Sequence, residues 1–380
     1  MAEKPKGTGP LAGVRVIEVG QALAGPLAGM ILADLGAEVI KVEKPDGGDD
    51  ARLWGPPFID GDALFFHATN RNKKSVTLDI KAPADVEKLK SLVRGADSLL
   101  QNLRPGIVDD MGIGAAVMTE VNPRLIYCNI WAFGHQGPLR NAPGFDPLLQ
   151  AFGAVMTMTG RPEDPPTFCA PAINDVSTGM WCVIGVTSAL QQRLATGRGC
   201  VIDCSLFETA VNWVGGAVNG YLLNGNIPQR HGTGSNLLVP YQVFETADRP
   251  VCVAAGNDRL WVKCARALGH PEWATDERFS DGRRRAVNRE VLIPMIAAVL
   301  LTRTRAEWIT ALEAVGVPVA PVNNIAELAQ SEQLAAMDMK RTLPGSGLTV
   351  MGLPLNFDGQ RPHPHSDSPK LGQHNSEIFG

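Results

Sequence analysis

From residue 14 onward the chain alternates short apolar runs with longer segments of helical period. Residues 14–19, VRVIEV, are apolar and rich in β-branched side chains, which predicts a buried strand. In GQALAGPLAGMILADLG, which follows, Pro26 suits the first turn of a helix and Gly36 its C-terminal stop. Residues 37–42 then predict a second strand, and a β-α-β unit implies a parallel sheet with helices on its faces. The alternation continues with strands over 76–78, 97–101, 128–131 and 201–203, and helices over 84–94 and 206–217. A long apolar helix is expected over 176–195, ended by Gly197 and Gly199.

Beyond residue 224 the texture changes. NGNIPQRHGTGSN (224–236) is a polar, glycine-rich loop, and VFETADRPVCVAAG (243–256) predicts a hairpin turning at 247–250. Helices follow over 258–268, 288–301 and 305–315, so 225–320 reads as a smaller α+β domain. GVPVAPVNN (316–324) has the Pro and Gly punctuation of connecting chain, and QRPHPHSDSP (360–369) that of a loop. No internal repeat is evident.

Composition narrows the class. A chain of 380 residues with 44% hydrophobic and 19% charged residues is long enough for two or three domains and has the balance of a globular protein. The net charge of -4 offers no field for a nucleic-acid partner. No apolar run approaches the roughly 18 residues of a membrane span, and the polar opening MAEKPKGTGP lacks a secretory core. Seven scattered cysteines without a C-x-x-C pair read as reduced thiols in a cytoplasm, each a small buried apolar residue.

Several chemistries drop out on spacing. Gly20, Gly25 and Gly29 do not make the G-x-G-x-x-G of a dinucleotide turn, despite Glu43 at the end of the second strand, and are better explained by close helix–strand packing. His363 and His365 form an H-x-H pair in a Pro-rich loop, which reads as solvated and not as a metal site. There is neither a G-x-S-x-G elbow nor a P-loop. Asp175, in PAINDVSTGM just before the long helix, is most simply an N-cap. It also has a chemical use: the helix N-terminus would hold its carboxylate ionised, and an ionised carboxylate can attack a thioester.

Ordered motifs along the chain sharpen that reading. LAGVRVIEVGQALAGPLAGMILADLGAEVIKVEKPDGGD near the start, NRNKKSVTLDIK (70–81), NLRPG (102–106) and GHQGPLRNAPGFD (134–146) are followed by LATGRGCVIDCSLFE (194–208) and VPYQVFETAD (239–248). AAGNDRLW (254–261), GVPVAPVN (316–323) and LGQHNSEI (371–378) complete the series. In these the chain resembles the family III coenzyme A transferases, a group that includes formyl-CoA and carnitine-CoA transferases and the 2-methylacyl-CoA racemases. The resemblance implies an α/β fold. A Rossmann-like large domain (1–205 and 330–380) would carry a parallel sheet, and linkers at 206–224 and 321–329 would lead to a small α+β domain (225–320). It also implies an interlocked ring homodimer.

By the same resemblance the aspartate of D-x-x-x-G, here Asp175 with Gly179, is the nucleophile. It would pass through an acyl anhydride and an aspartyl-CoA thioester, with acyl-CoA and a small carboxylic acid as substrates and no permanently bound cofactor. Oxyanion and substrate contacts fall on Gln21, Ala22, Leu23, Ala24, Gly25, Phe145, Asp146, Gly232 and Gly234. A family glutamine is replaced by Leu23, and Gln21 is a candidate substitute. Gly232–Gly234 reads equally as a shielding loop and as a surface turn. CoA contacts fall on Lys44, Leu78, Lys81, Asn102, Leu103 and Arg104, while Asp109 and Asp110 stand where relatives often carry arginine. Trp131, Phe133, Phe145 and Phe168 suggest an aromatic site or simple core.

The racemase branch needs a histidine in G-H-D, and this chain reads Gly144-Phe145-Asp146. Phe145 cannot move a proton, and His135 lies ten residues upstream, so the transferase is expected. A non-catalytic CoA-binding paralogue is the remaining alternative.

Overall fold

The computed structural model describes residues 8–235 and 237–380. Most of the polar opening segment, and Asn236 at the end of the glycine-rich loop, lie outside the described residues. The chain divides into two units, one of residues up to 155 with 169–215 and 333–380, the other of 156–168 and 216–332.

The first unit is built on six strands: β1 (Arg15–Val19), β2 (Glu38–Glu43), β3 (Lys73–Thr77), β4 (Ser98–Gln101), β5 (Ile126–Trp131) and β6 (Val201–Ser205). All pair in parallel, in the order β3-β2-β1-β4-β5-β6. This is the doubly wound Rossmann-like α/β order, whose direction reverses between β1 and β4, and ligands in such sheets bind beyond the carboxyl ends at that point.

Both faces are covered, which is why the central strands are apolar throughout. Val16, Val39, Leu100, Cys128 and Ile130 pack with helix α1 (Ala24–Asp34) and with Cys182, Val186 and Ala189 of a long helix ending at Thr196. Ile17, Ile40, Val42, Leu99 and Tyr127 pack on the opposite face with α2 (Pro83–Arg94). Three further helices of this unit are α3 (Asp146–Phe152), α4 (Ile173–Thr196, the long helix) and α5 (Leu206–Trp213).

Two sequence expectations need correction here. Strand β3 begins at Lys73, ahead of the expected 76–78, because its polar residues are buried in pairs: Lys73 Nζ lies 2.8 Å from Glu18 and Ser75 Oγ donates to Glu43 at 2.6 Å. The helix expected over 206–217 is two, α5 and Gly215–Asn224, broken where Gly215 and Gly216 follow Val214.

In the second unit, β7 (Tyr241–Phe244) and β8 (Val251–Ala254) form the expected antiparallel hairpin, with Phe244 opposite Val251. Val319–Pro321, read above as connecting chain, is the third strand β9, pairing antiparallel with β8. Its proline and outward residues hide it from a periodicity reading, and it occupies a sheet edge, where Pro is tolerated. Helices Asp258–Ala267, Arg289–Leu300 and Arg305–Glu313 close over a core holding Trp261, Phe279, Ile296 and Trp308. Thr304 and Glu307 form a capping box at the start of the last of these. Among the described residues no helix is long and apolar enough to cross a membrane.

Candidate functional site

At the carboxyl ends of β1, β2, β3 and β4 the first unit opens a cavity of about 530 Å³. Val42, Leu78, Ile80, Leu103, Ile107 and Met111 give it apolar walls. The cations among its lining residues are Lys44 and Lys81. Five residues singled out by sequence, Gln21, Lys44, Leu78, Lys81 and Leu103, thus meet at one place. Arg104 is exposed and does not line the cavity. The apolar walls from Ile107 and Met111 escaped sequence reading, since nothing local distinguishes them from core. Lys44 reaches Asp50 at 2.6 Å across the exposed rim.

The loop from β1 to α1 forms one edge of this cavity and is held from three sides. A Cβ on Gly20 would lie 3.3 Å from Gly25 Cα, so these glycines permit the close helix–strand packing expected of them. Asn102 grips Gln21 by both backbone groups, accepting from its N–H at 2.9 Å and donating to its carbonyl at 2.7 Å. Ala22 has φ +66°, a left-handed conformation costly for a residue with a Cβ, and its N–H donates to Asp49 Oδ1 at 3.0 Å. Leu23 at the N-cap of α1 supplies no side-chain acceptor, so Ala24 and Gly25 begin the helix with N–H groups that form its positive dipole end.

Beneath the loop runs a buried ionic network that the sequence did not announce. Lys41 Nζ lies 2.9 Å from Glu18 Oε1, 2.9 Å from Asp49 Oδ2 and 2.8 Å from the Gly20 carbonyl oxygen. Burial works against its charge, but Glu18 and Asp49 outweigh it and raise the lysine pKa. Burial similarly opposes the Asp49 carboxylate, and Lys41 outweighs it, leaving the Asp49 pKa lowered. Lys73, where burial dominates, is pulled down to about 8. Gly29 admits this network under α1, because a Cβ there would stand 1.8 Å from Glu18 Oε2.

Asp175 does not cap its helix. Helix α4 starts earlier than expected, at Ile173, and Asp175 sits within its first turn. The cap comes from Asp146 of α3, whose buried Oδ1 accepts from the N–H groups of Asn174 at 2.7 Å and Asp175 at 3.3 Å. Gln150 donates to Asp146 Oδ2 at 2.5 Å and binds the Cys169 backbone at 3.0 and 2.8 Å, which fixes the entry to α4. The Asp175 carboxyl is therefore free of the backbone. Burial first, and the neighbouring Asp146 charge second, raise its pKa to about 7. This reverses the expectation that the helix end holds it ionised. Gly179, one turn on, lets α4 close against the start of α1: a Cβ there would lie 2.8 Å from the Ala24 carbonyl oxygen. Asn174, fully buried beside Asp175, has a side-chain amide with no partner among the described residues.

Other candidates fall elsewhere. Phe145 is 62% exposed next to Asp146. Trp131 is buried with its Nε1–H on Asp203 at 2.9 Å, and the half-buried Phe133 packs edge-on against the exposed Phe152. Phe168, Gly232 and Gly234 belong to the second unit, where the Gly232 N–H donates to Gly160 O at 3.1 Å. His135 is exposed, 4.0 Å from Asp203, and His363 and His365 lie exposed in their loop. Asp109 and Asp110 are exposed in the short helix Ile107–Asp110.

A family model described as CoA-transferase family III matches residues 11–375. The chain is 35% identical over 377 residues to acetyl-CoA:oxalate CoA-transferase of Acetobacter aceti, covering 99% of this chain and 96% of that one. It is 34% identical to succinyl-CoA:glutarate CoA-transferase of Mus musculus, covering 97% and 86%. Among solved structures, a CaiB/BaiF family protein from Brucella suis matches with TM-score 0.86 at 37% identity, covering 98% of both chains.

Proposed function

The chain belongs to CoA-transferase family III, and on that premise we propose that it moves CoA from an acyl-CoA donor to a small dicarboxylic acid through covalent intermediates on Asp175. Transfer between acyl-CoA and carboxylic acids follows from the family; the acid class rests on the oxalate and glutarate in the relatives' names. The observation that carries the reading is Asp175 itself. Its carboxyl is relieved of capping by Asp146, and its α4 turn sits against the first turn of α1.

In the proposed sequence, an Asp175 oxygen attacks the donor thioester carbon, the C–S bond breaks, and CoA leaves as thiolate. The thiolate then attacks the Asp175 carbonyl of the mixed anhydride, and the donor acid departs as carboxylate. The acceptor carboxylate attacks the resulting aspartyl-CoA thioester and expels the thiolate, which takes the acyl group from the second anhydride and regenerates Asp175. Every leaving group is a stabilised anion, so no strong general acid is required. Each tetrahedral oxyanion needs hydrogen-bond donors instead. The N–H groups at the start of α1, held by Asn102 and Asp49, are suited to that role. CoA would lie in the cavity, its base against the apolar walls and its phosphates toward Lys44 and Lys81.

A homodimer is part of the proposal. Val176, Met180, Trp181 and Ile184 stand exposed along one side of α4, and a partner chain would cover them. Incubation with succinyl-CoA and hydroxylamine should convert Asp175 to its hydroxamate, read by peptide mass. Absence of any Asp175 adduct with a donor that supports turnover would sink the covalent mechanism.

A further inference from the structure

Three thiols converge behind the helix that carries Asp175. Cys128 comes from β5, Cys204 from β6 and Cys182 from α4, and their Sγ atoms all lie within 4.8 Å of one another. All three are free, with Cys128 and Cys182 fully buried and Cys204 half-buried. They come from three elements separated in sequence, so their meeting is a product of the fold. Cys182 stands about two turns beyond Asp175, on the same side of α4 as Gly179.

The surroundings decide what such a triad can hold. Leu206, Val186 and Ile130 belong to the same apolar cluster as Cys128 and Cys182, and Cys204 packs against it. A complex formed there must carry little net charge, because an unpaired buried charge costs several kcal/mol or about that order. Zinc on three thiolates leaves one negative charge and an unfilled fourth position. Cuprous ion on three thiolates leaves two negative charges. A trivalent arsenic centre on three thiolates is uncharged, and three sulfurs complete its coordination.

We propose that Cys128, Cys182 and Cys204 form a binding site for trivalent arsenic, taken up as a neutral tris-thiolate. With arsenous acid the exchange balances without an oxidant. Three S–H and three As–O bonds break, three As–S bonds form, three waters leave, and arsenic stays trivalent. Cys204 is the point of entry, since it lies on β6, which ends the sheet and, among the described residues, pairs with β5 alone. Fraying of an edge strand costs less than opening the core and admits the ligand to the two inner thiols. Once filled, the site ties α4 to β5 and β6. On the reading that Asp175 is the nucleophile, CoA transfer slows in proportion to occupancy.

Intact-protein mass spectrometry of the reduced full chain with sodium arsenite tests the site without any CoA chemistry. The expected product gains one arsenic, loses three hydrogens and retains no oxygen, and three thiols disappear from a thiol-reagent titration. Cys204→Ser and Cys182→Ala should each abolish that product, whereas Cys252→Ser, in the second unit, should leave it intact. Absence of an adduct, an adduct that keeps an arsenic hydroxyl, or an unchanged product in Cys204→Ser would overturn the proposal. Asp175→Ala protein should bind arsenic as the parent does while losing transfer, so the two readings fail separately.

Discussion

Asp146, and not Asp175, closes the N-terminus of α4, and this division of labour sets the chemistry at residue scale. Asp175 keeps a free carboxyl with its pKa raised to about 7 by burial and by Asp146. A nucleophile must be ionised, so kcat/KM is expected to rise with pH and level off above about 7. The stability effect has the opposite sense. The folded pKa lies above the ordinary 3.8, so the folded state holds the proton more tightly, and that advantage is lost as pH rises from about 4 through 7. Asp175→Asn should therefore abolish transfer yet raise the thermal midpoint at pH 8 relative to the parent, checked by calorimetry at pH 5 and pH 8. The orphaned amide of Asn174 gives a companion test: Asn174→Leu should gain about 1 kcal/mol in urea unfolding, by removing an unpaired buried polar group. Read locally, Asp175 was most simply a cap, and only the resemblance made it the candidate nucleophile; the true cap escaped local reading because it comes from a residue 29 positions away.

At the scale of elements, the loop between β1 and α1 depends on groups beneath it. Lys41 and Asp49 are almost wholly buried, and Asp49 holds Ala22 in its left-handed conformation. Asp49→Asn leaves Lys41 short of a counter-charge and should cost roughly 3 kcal/mol in denaturant unfolding. If the loop N–H groups serve the oxyanion, kcat should fall more than KM rises in the same variant. Packing of α4 on α1 has its own test. Gly179→Ala places a methyl 2.8 Å from a backbone carbonyl that cannot swing aside, so a loss of about 1–3 kcal/mol is expected. The glycines of this region were legible from spacing, since tight helix–strand approach demands them locally. The ionic network was not, because Glu18, Lys41 and Lys73 lie in strand segments whose charged residues look out of place until they are paired across three strands.

For the whole molecule, the proposed dimer predicts a light-scattering mass of about twice the 40.6 kDa chain. A clean monomer would remove the account of the exposed α4 face. The order of strands and helices, the parallel sheet and the change of texture after residue 224 were set by the sequence alone. Hydrophobic period, helix stops and turn residues act between near neighbours, and near neighbours are visible along the chain. The strand β9 escaped because its pairing, not its composition, makes it a strand. Only the tertiary structure decided which carboxylate caps α4, which lysine steadies the β1–α1 loop, and that three distant cysteines come together. Charge, burial and coordination depend on distances through space, and those distances exist only once the sheet has brought remote segments together.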